Sequence, residues 1–308
     1  IRDSLSSWIL SRLPGDVLKS RNWFISPDGP LSLLPFEALT VDGHTVVEEH
    51  DVSTVQSISM MRISRDRLRS YAALDRQPIL VIGDATYAAV APQPVAGGIG
   101  LLRGAIGQAT WPNLPGSAHE LALLTERFGL EEGASLLKGR EASRSAVASL
   151  QKNGDLARFK YVVFSTHGFL DLKNSDLSGI VLSQVGLNAG DDGYLRASDL
   201  AAFNFKSDLV YVSACETGIG QFVSGEGTLG LPFALFAAGN ARTILTLWQI
   251  FDGGTAEVTD RFFGKLQDGK STAGALAETK REFLRGDFGA ERKSPAYCAP
   301  FILYGGAL

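Results

Sequence analysis

The sequence predicts an α/β protein: a mostly parallel sheet flanked by helices, with an N-terminal subdomain. Two observations carry that prediction. Short runs of aliphatic, β-branched and aromatic residues recur between residues 78 and 304, and they are continuous rather than alternating, as strands covered on both faces require. Stretches of helical length and apolar spacing lie between them, and strands alternating with helices favour parallel pairing. No repeat of about 20–50 residues is visible, so a solenoid is excluded.

The elements follow in chain order. Residues 1–77 are less regular and are read as a subdomain packed on a core of residues 78–308. Their clearest punctuation is Ser26-Pro27-Asp28-Gly29-Pro30, a turn signal ahead of Leu31-Ser32-Leu33-Leu34-Pro35-Phe36. The run at 78–84 predicts the first core strand. Residues 89–115, rich in Gly, Pro and Ala, predict a long loop. A helix is expected at 117–128, where Leu121, Leu123, Leu124 and Phe128 recur at near-helical spacing, and another at 143–150. Strands are expected at 160–165, 208–213, 242–247 and 301–304. The almost wholly apolar stretch 228–238 predicts a buried helix, and 255–266 and 273–284 predict amphipathic ones.

Composition narrows the function classes. The chain has 308 residues, 45% hydrophobic and 20% charged, an ordinary balance for a globular protein. Net charge is −4, from 29 basic and 33 acidic residues, so the basic footprint of a direct nucleic-acid partner is not expected. No apolar run approaches the ~18 residues of a membrane span. Only two cysteines occur, Cys215 and Cys298, which argues against a disulfide framework and for a reducing, cytoplasmic compartment. The start, Ile1-Arg2-Asp3-Ser4-Leu5, lacks a basic leader with an apolar run, so no secretory signal is expected there. It also lacks an initiator Met, so the chain reads as an excised domain or a processed product of something longer.

Two predicted strands run directly into reactive residues. One ends in Ser165-Thr166-His167-Gly168, the other in Ser213-Ala214-Cys215-Glu216-Thr217-Gly218. Ligand crevices in parallel sheets lie beyond the carboxyl ends of the strands. If these two strands are neighbours, His167 and Cys215 project into one crevice. A thiolate is the attacking form of cysteine and needs a base or cation beside it. An imidazole can then protonate the leaving amine. The oxyanion needs two donors; Gly168 permits close backbone approach, and the Cys215 N–H is the natural second. His167 stands upstream of Cys215 by roughly 50 residues, the order and spacing of caspase-type enzymes and unlike the papain order.

These two blocks resemble the paired signatures of CHAT domains, relatives of caspases and separases. The likeness extends to Ser224-Gly225-Glu226-Gly227, Ala237-Ala238-Gly239-Asn240-Ala241 and Leu247-Trp248 after the cysteine. Upstream, Pro27-Asp28-Gly29, Leu34-Pro35-Phe36 and Leu114-Pro115-Gly116 fit too, so it covers nearly the whole chain. The resemblance implies a caspase-hemoglobinase-like fold and a cysteine endopeptidase acting on a protein substrate. It further implies a place after helical repeats or a sensor module, gating by that region or a regulatory partner, and a role in bacterial defence or cell death. Two departures stand out. Cys298 occupies a place near the final strand where the family often has Trp. Ser213 stands two residues before Cys215, where metacaspase relatives carry an acid, which leaves a preference for basic residues open.

Each feature has a plainer reading. A buried cysteine is usually a small hydrophobe; that suits Cys298, whereas a histidine at a companion strand tip lifts Cys215 above it. His44, His50 and His119 have no partner motif and read as surface or structural. Gly225-Glu226-Gly227-Thr228-Leu229-Gly230 matches G-x-G-x-x-G, but about ten residues separate it from the strand end, and Glu226 would face a pyrophosphate. The resemblance to separases implies Asp252 as a candidate for binding a basic substrate side chain, with a helix cap as its alternative. Glu226 and Ser213 complete the substrate-binding candidates. Scattered histidines and the absence of C-x-x-C predict neither metal nor cofactor. The competing functional readings are a non-catalytic caspase-like interaction scaffold and, more remotely, a nucleotide-binding enzyme.

Overall fold

The structure, a computed structural model, describes residues 2–87, 111–169, 175–214, 222–223, 227–228, 230–248 and 252–306. Eight strands share one sheet: β1 (Asn22–Ile25), β2 (Asp51–Thr54), β3 (Gln77–Ala85), β4 (Leu136–Gly139), β5 (Phe159–Ser165), β6 (Leu209–Ser213), β7 (Thr243–Thr246) and β8 (Phe301–Tyr304). Their order across the sheet is β1-β2-β8-β7-β6-β5-β3-β4. All neighbours are parallel except β7 and β8. The longer helices are α1 (Arg2–Leu10), α2 (Ile58–Tyr71), α3 (Pro115–Phe128), α4 (Arg144–Asn153), α5 (Leu231–Ala237), α6 (Asp252–Gln267) and α7 (Thr272–Arg285).

Alternate residues of the central strands enter two different cores, and this is why the strands read as unbroken apolar runs. Leu80, Ile82, Val162, Phe164, Val210 and Val212 pack with Val147 of α4 and Leu231 and Leu235 of α5. Ile79, Val81, Val163, Leu209 and Tyr211 face the other way, onto Leu121 and Leu124 of α3, Phe262 and Phe263 of α6 and Phe283 of α7. The result is three layers, helices on both faces of the sheet. Local chemistry agrees: Ser143 caps α4 by accepting from the Ala146 N–H at 3.2 Å, and Gly154 ends it with φ 79°.

All five predicted strands are present, with ends shifted by no more than one residue, and the sheet is mostly parallel as expected. The predicted helices at 117–128, 143–150, 255–266 and 273–284 also form, with ends differing by up to three residues. One boundary is corrected: the helix expected at 228–238 spans Leu231–Ala237, while Gly227–Thr228 pairs with Phe222–Val223. Gly230, at φ 122°, turns the chain, and Pro232 suits the first turn of the helix that follows. Most of the loop expected at 89–115 lies outside the described residues. Residues 1–77 supply β1 and β2 to the main sheet, paired through β8. A buried ion pair ties this region down: Lys280 of α7 donates to Glu37 and to the Phe301 carbonyl of β8.

Gly83 lies where β3, β5 and α3 approach closely. A Cβ there would lie 2.7 Å from the Ser165 carbonyl and 2.7 Å from Leu121 Cδ1. Gly83→Ala is expected to lower stability by about 1–3 kcal/mol through overpacking, read as a fall in the urea midpoint at unchanged slope. An unchanged midpoint would mean that β3 and β5 separate more easily than this contact implies.

Candidate active site

β5 and β6 are adjacent and parallel, with Ser165 opposite Ser213. The Thr166 N–H extends the ladder by donating to the Ser213 carbonyl at 3.3 Å. His167 follows Ser165 by two residues, and Cys215 follows Ser213 by two. Cys215 lies outside the described residues. Its neighbour Ala214 is buried, and the Ala214 carbonyl accepts a hydrogen bond from the Thr246 hydroxyl at the end of β7.

His167 is held from several sides and is 9% exposed. It opens the strand His167–Phe169, which pairs antiparallel with Gly179–Val181, and that in turn with Tyr194–Arg196. Its Nε2 lies 2.7 Å from the Pro112 carbonyl oxygen. A carbonyl can only accept, so Nε2 carries the hydrogen, and Nδ1 is the basic nitrogen of the neutral ring. The imidazole contacts two aromatic rings, Tyr87 at 4.9 Å and 62°, and Trp111 at 5.1 Å and 40°. The Tyr87 hydroxyl accepts from the His167 backbone N–H at 3.2 Å and donates to the Val181 carbonyl at 3.1 Å. Trp111 Nε1 donates to the Tyr194 hydroxyl at 3.1 Å.

Beside these strand ends lies a cavity of about 50 Å³, lined by Ser117, Glu120, Ser165, Thr166, Ser213 and Thr246 among others. That is room for a few water molecules. Glu120, on α3 and only 2% exposed, supplies its buried carboxylate. The Ser165 hydroxyl donates to one carboxylate oxygen, and the Thr259 hydroxyl of α6 donates to the other at 2.5 Å. Thr259 has one hydroxyl hydrogen, so the Tyr211 hydroxyl, 2.9 Å away, donates to Thr259. Burial pushes the Tyr211 phenol well above its usual range, which keeps that donor protonated. Ser117 adds a bond to the Ser165 carbonyl at 2.6 Å and accepts from the Asp84 N–H at 2.7 Å. Strands β3, β5 and β6 are thereby fastened to α3 and α6 just behind the rim.

Gly168, a sequence candidate for the oxyanion, is half-buried and pairs with Ile180. Ser213 lines the cavity. Glu226 lies outside the described residues. Asp252 is the first residue of α6, with its side chain also outside the description. Cys298 is core: it is buried among apolar residues, and burial pushes its thiol up to about 11. His44 and His119 are exposed, and His50 is structural, stacked on Trp23 at 4.1 Å with Nδ1 2.8 Å from the Ser20 carbonyl. Among the described residues there is no group of three or more His, Cys, Asp or Glu placed to hold a metal, and no helix long and apolar enough to cross a membrane. The sequence reading missed Glu120, Thr246, Tyr87 and Trp111. Thr246 could have been found by extending the strand-end rule to the next strand.

The mostly parallel eight-stranded sheet, with helices on both faces, is a caspase-like α/β fold. The chain belongs to the CHAT domain family, whose model matches residues 3–306. Its fold is similar to that of separase in the Saccharomyces cerevisiae separase–securin complex, with a TM-score of 0.54 and 12% identity over 92% of this chain. The chain spans only 16% of that separase chain. It also aligns with the Arg-specific cysteine proteinase gingipain R of Porphyromonas gingivalis, at a TM-score of 0.44 and 10% identity over 88% of this chain and 57% of that one. No curated protein matches the chain in sequence.

Proposed function

We propose that the protein is a cysteine endopeptidase in which His167 and Cys215 form the catalytic dyad. The observation that carries this reading is the register of β5 and β6. Each reactive residue stands two positions past one of the paired serines Ser165 and Ser213. Neighbouring strands run about 4.8 Å apart, which supports a thiol and an imidazole meeting at this rim.

The chemistry follows from the donors in place. The Cys215 thiolate attacks the scissile carbonyl, and the oxyanion is held by the Gly168 and Cys215 amides. His167, protonated at Nδ1, gives that proton to the leaving amine as the C–N bond breaks. Its Nδ1 then takes a proton from the water that attacks the thioester, and breaking of the C–S bond returns the thiolate beside the protonated imidazole and releases the acid. The Pro112 carbonyl holds the ring in the tautomer both steps need. Ser213 borders the pocket for the substrate side chain, with Glu226 and Asp252 as acidic contributors to it. Control by an upstream region or a partner protein, and service in bacterial defence or cell death, are parts of the same proposal. The securin-bound state of the separase relative supports protein-mediated control.

The test compares new protein N-termini generated by wild type and by Cys215→Ala in the same cell extract. Cleavages present with wild type and absent with a folded variant are expected. Identical sets would end the assignment and favour a scaffold.

A further inference from the structure

We infer that Tyr87 and Trp111 are positioning residues that hold the His167 imidazole at the angle proton transfer requires. This rests on the dyad reading above and names residues that reading does not use.

At the rung where His167 faces Val181 in the small sheet, the Tyr87 hydroxyl stands between the two backbones. It accepts from the N–H of one at 3.2 Å and donates to the carbonyl of the other at 3.1 Å. The width of that rung is therefore set by a phenol belonging to the segment after β3. Burial pushes this phenol well above its usual range, so it remains a donor throughout the pH range of catalysis. Its ring meets the imidazole edge-on. Trp111 also packs against the imidazole and is itself tethered through Nε1 to the Tyr194 hydroxyl. The residue after Trp111 is Pro112, whose carbonyl fixes Nε2 at 2.7 Å. Backbone, ring plane and tautomer of His167 are thus set by three separate contacts, which leaves the Nδ1 lone pair a single direction. A misplacement of about 1 Å in a catalytic group can cost about a hundredfold in rate.

Tyr87→Phe keeps the ring and removes the hydroxyl. The His167 N–H and Val181 carbonyl then either lose their partner or close on each other, and both outcomes move His167. Trp111→Phe keeps an aromatic face and removes the tether. The experiment follows alkylation of Cys215 by iodoacetamide against pH, quantified by mass spectrometry on the Cys215 peptide so that Cys298 is counted separately. Wild type, Tyr87→Phe, Trp111→Phe and His167→Gln are compared, each checked for folding by circular dichroism.

In wild type the rate is expected to rise at a pH below the free-thiol range of about 8.5, and in His167→Gln only within that range. Tyr87→Phe is expected to react about tenfold more slowly at neutral pH, with its midpoint moved toward that of His167→Gln; Trp111→Phe shifts in the same direction. If Tyr87→Phe does not fold, Trp111→Phe decides. Folded variants with the wild-type profile would overturn the inference and leave the dyad standing. A His167→Gln profile equal to wild type would remove the dyad and this inference together.

Discussion

His167→Gln is expected to lower kcat/KM on a cleavable peptide by about a hundred- to ten-thousand-fold, the usual contribution of one general acid–base group. That corresponds to about 3–5 kcal/mol of transition-state stabilisation. Glutamine is the informative replacement. It approaches the length of histidine, and its amide can still donate to the Pro112 carbonyl that holds Nε2 at 2.7 Å. What it lacks is a nitrogen that titrates. The loss should fall on kcat with KM little changed, because the imidazole acts on the reacting atoms rather than on remote parts of the substrate. The limb of the pH–rate profile that belongs to the imidazole should disappear as well. Stopped assays on a peptide taken from a mapped cleavage site give all three readouts. Retention of more than about a tenth of the activity would remove proton transfer from the duties of His167.

The second large effect concerns stability. Lys280 and Glu37 are 1% and 4% exposed, and the Lys280 ammonium also serves the Phe301 carbonyl of β8. Lys280→Met is expected to cost about 3–5 kcal/mol, because it leaves a buried carboxyl without its cation. Burial already pushes the Glu37 carboxyl above its ordinary range against the pull of Lys280. The double change Glu37→Leu with Lys280→Met is expected to recover most of the loss, since a buried ion pair and an apolar pair of similar volume are often close in stability. Urea denaturation of the two single variants and the double measures the coupling. A Lys280→Met loss under about 1 kcal/mol would show that the pair is solvated in solution. A double variant weaker than either single one would show that the pair itself, rather than the cost of an orphaned charge, stabilises the junction of residues 1–77 with α7.

How much of this was legible follows from particular residues. β3, β5 and β6 announce themselves because both of their faces are buried, Ile79 and Val81 on one side and Leu80 and Ile82 on the other. His167 stood out because it follows such a run by two residues; Cys215 follows another and lies outside the described residues. β1 and β2 were not. They are four residues each, set among polar neighbours, and only distant pairing through β8 gives them a place in the sheet. β4, Leu136–Gly139, is a short edge strand with the same weakness. Glu120 and Thr259 look like ordinary surface helix formers in the sequence. Their meeting behind the rim depends on α3 and α6 lying together on one face of the sheet. Tyr87 stands just before the stretch read as a loop and Trp111 within it, and no spacing in the sequence ties either to His167.

The most direct measurement is a crystal structure of the protein reacted with a peptidyl acyloxymethyl ketone. Expected is a thioether at Cys215 Sγ, with Nδ1 of His167 within about 3–4 Å of that sulfur and the ketone oxygen facing the Gly168 amide. An adduct confined to Cys298, or a Cys215 sulfur on the side of the sheet away from His167, would contradict it.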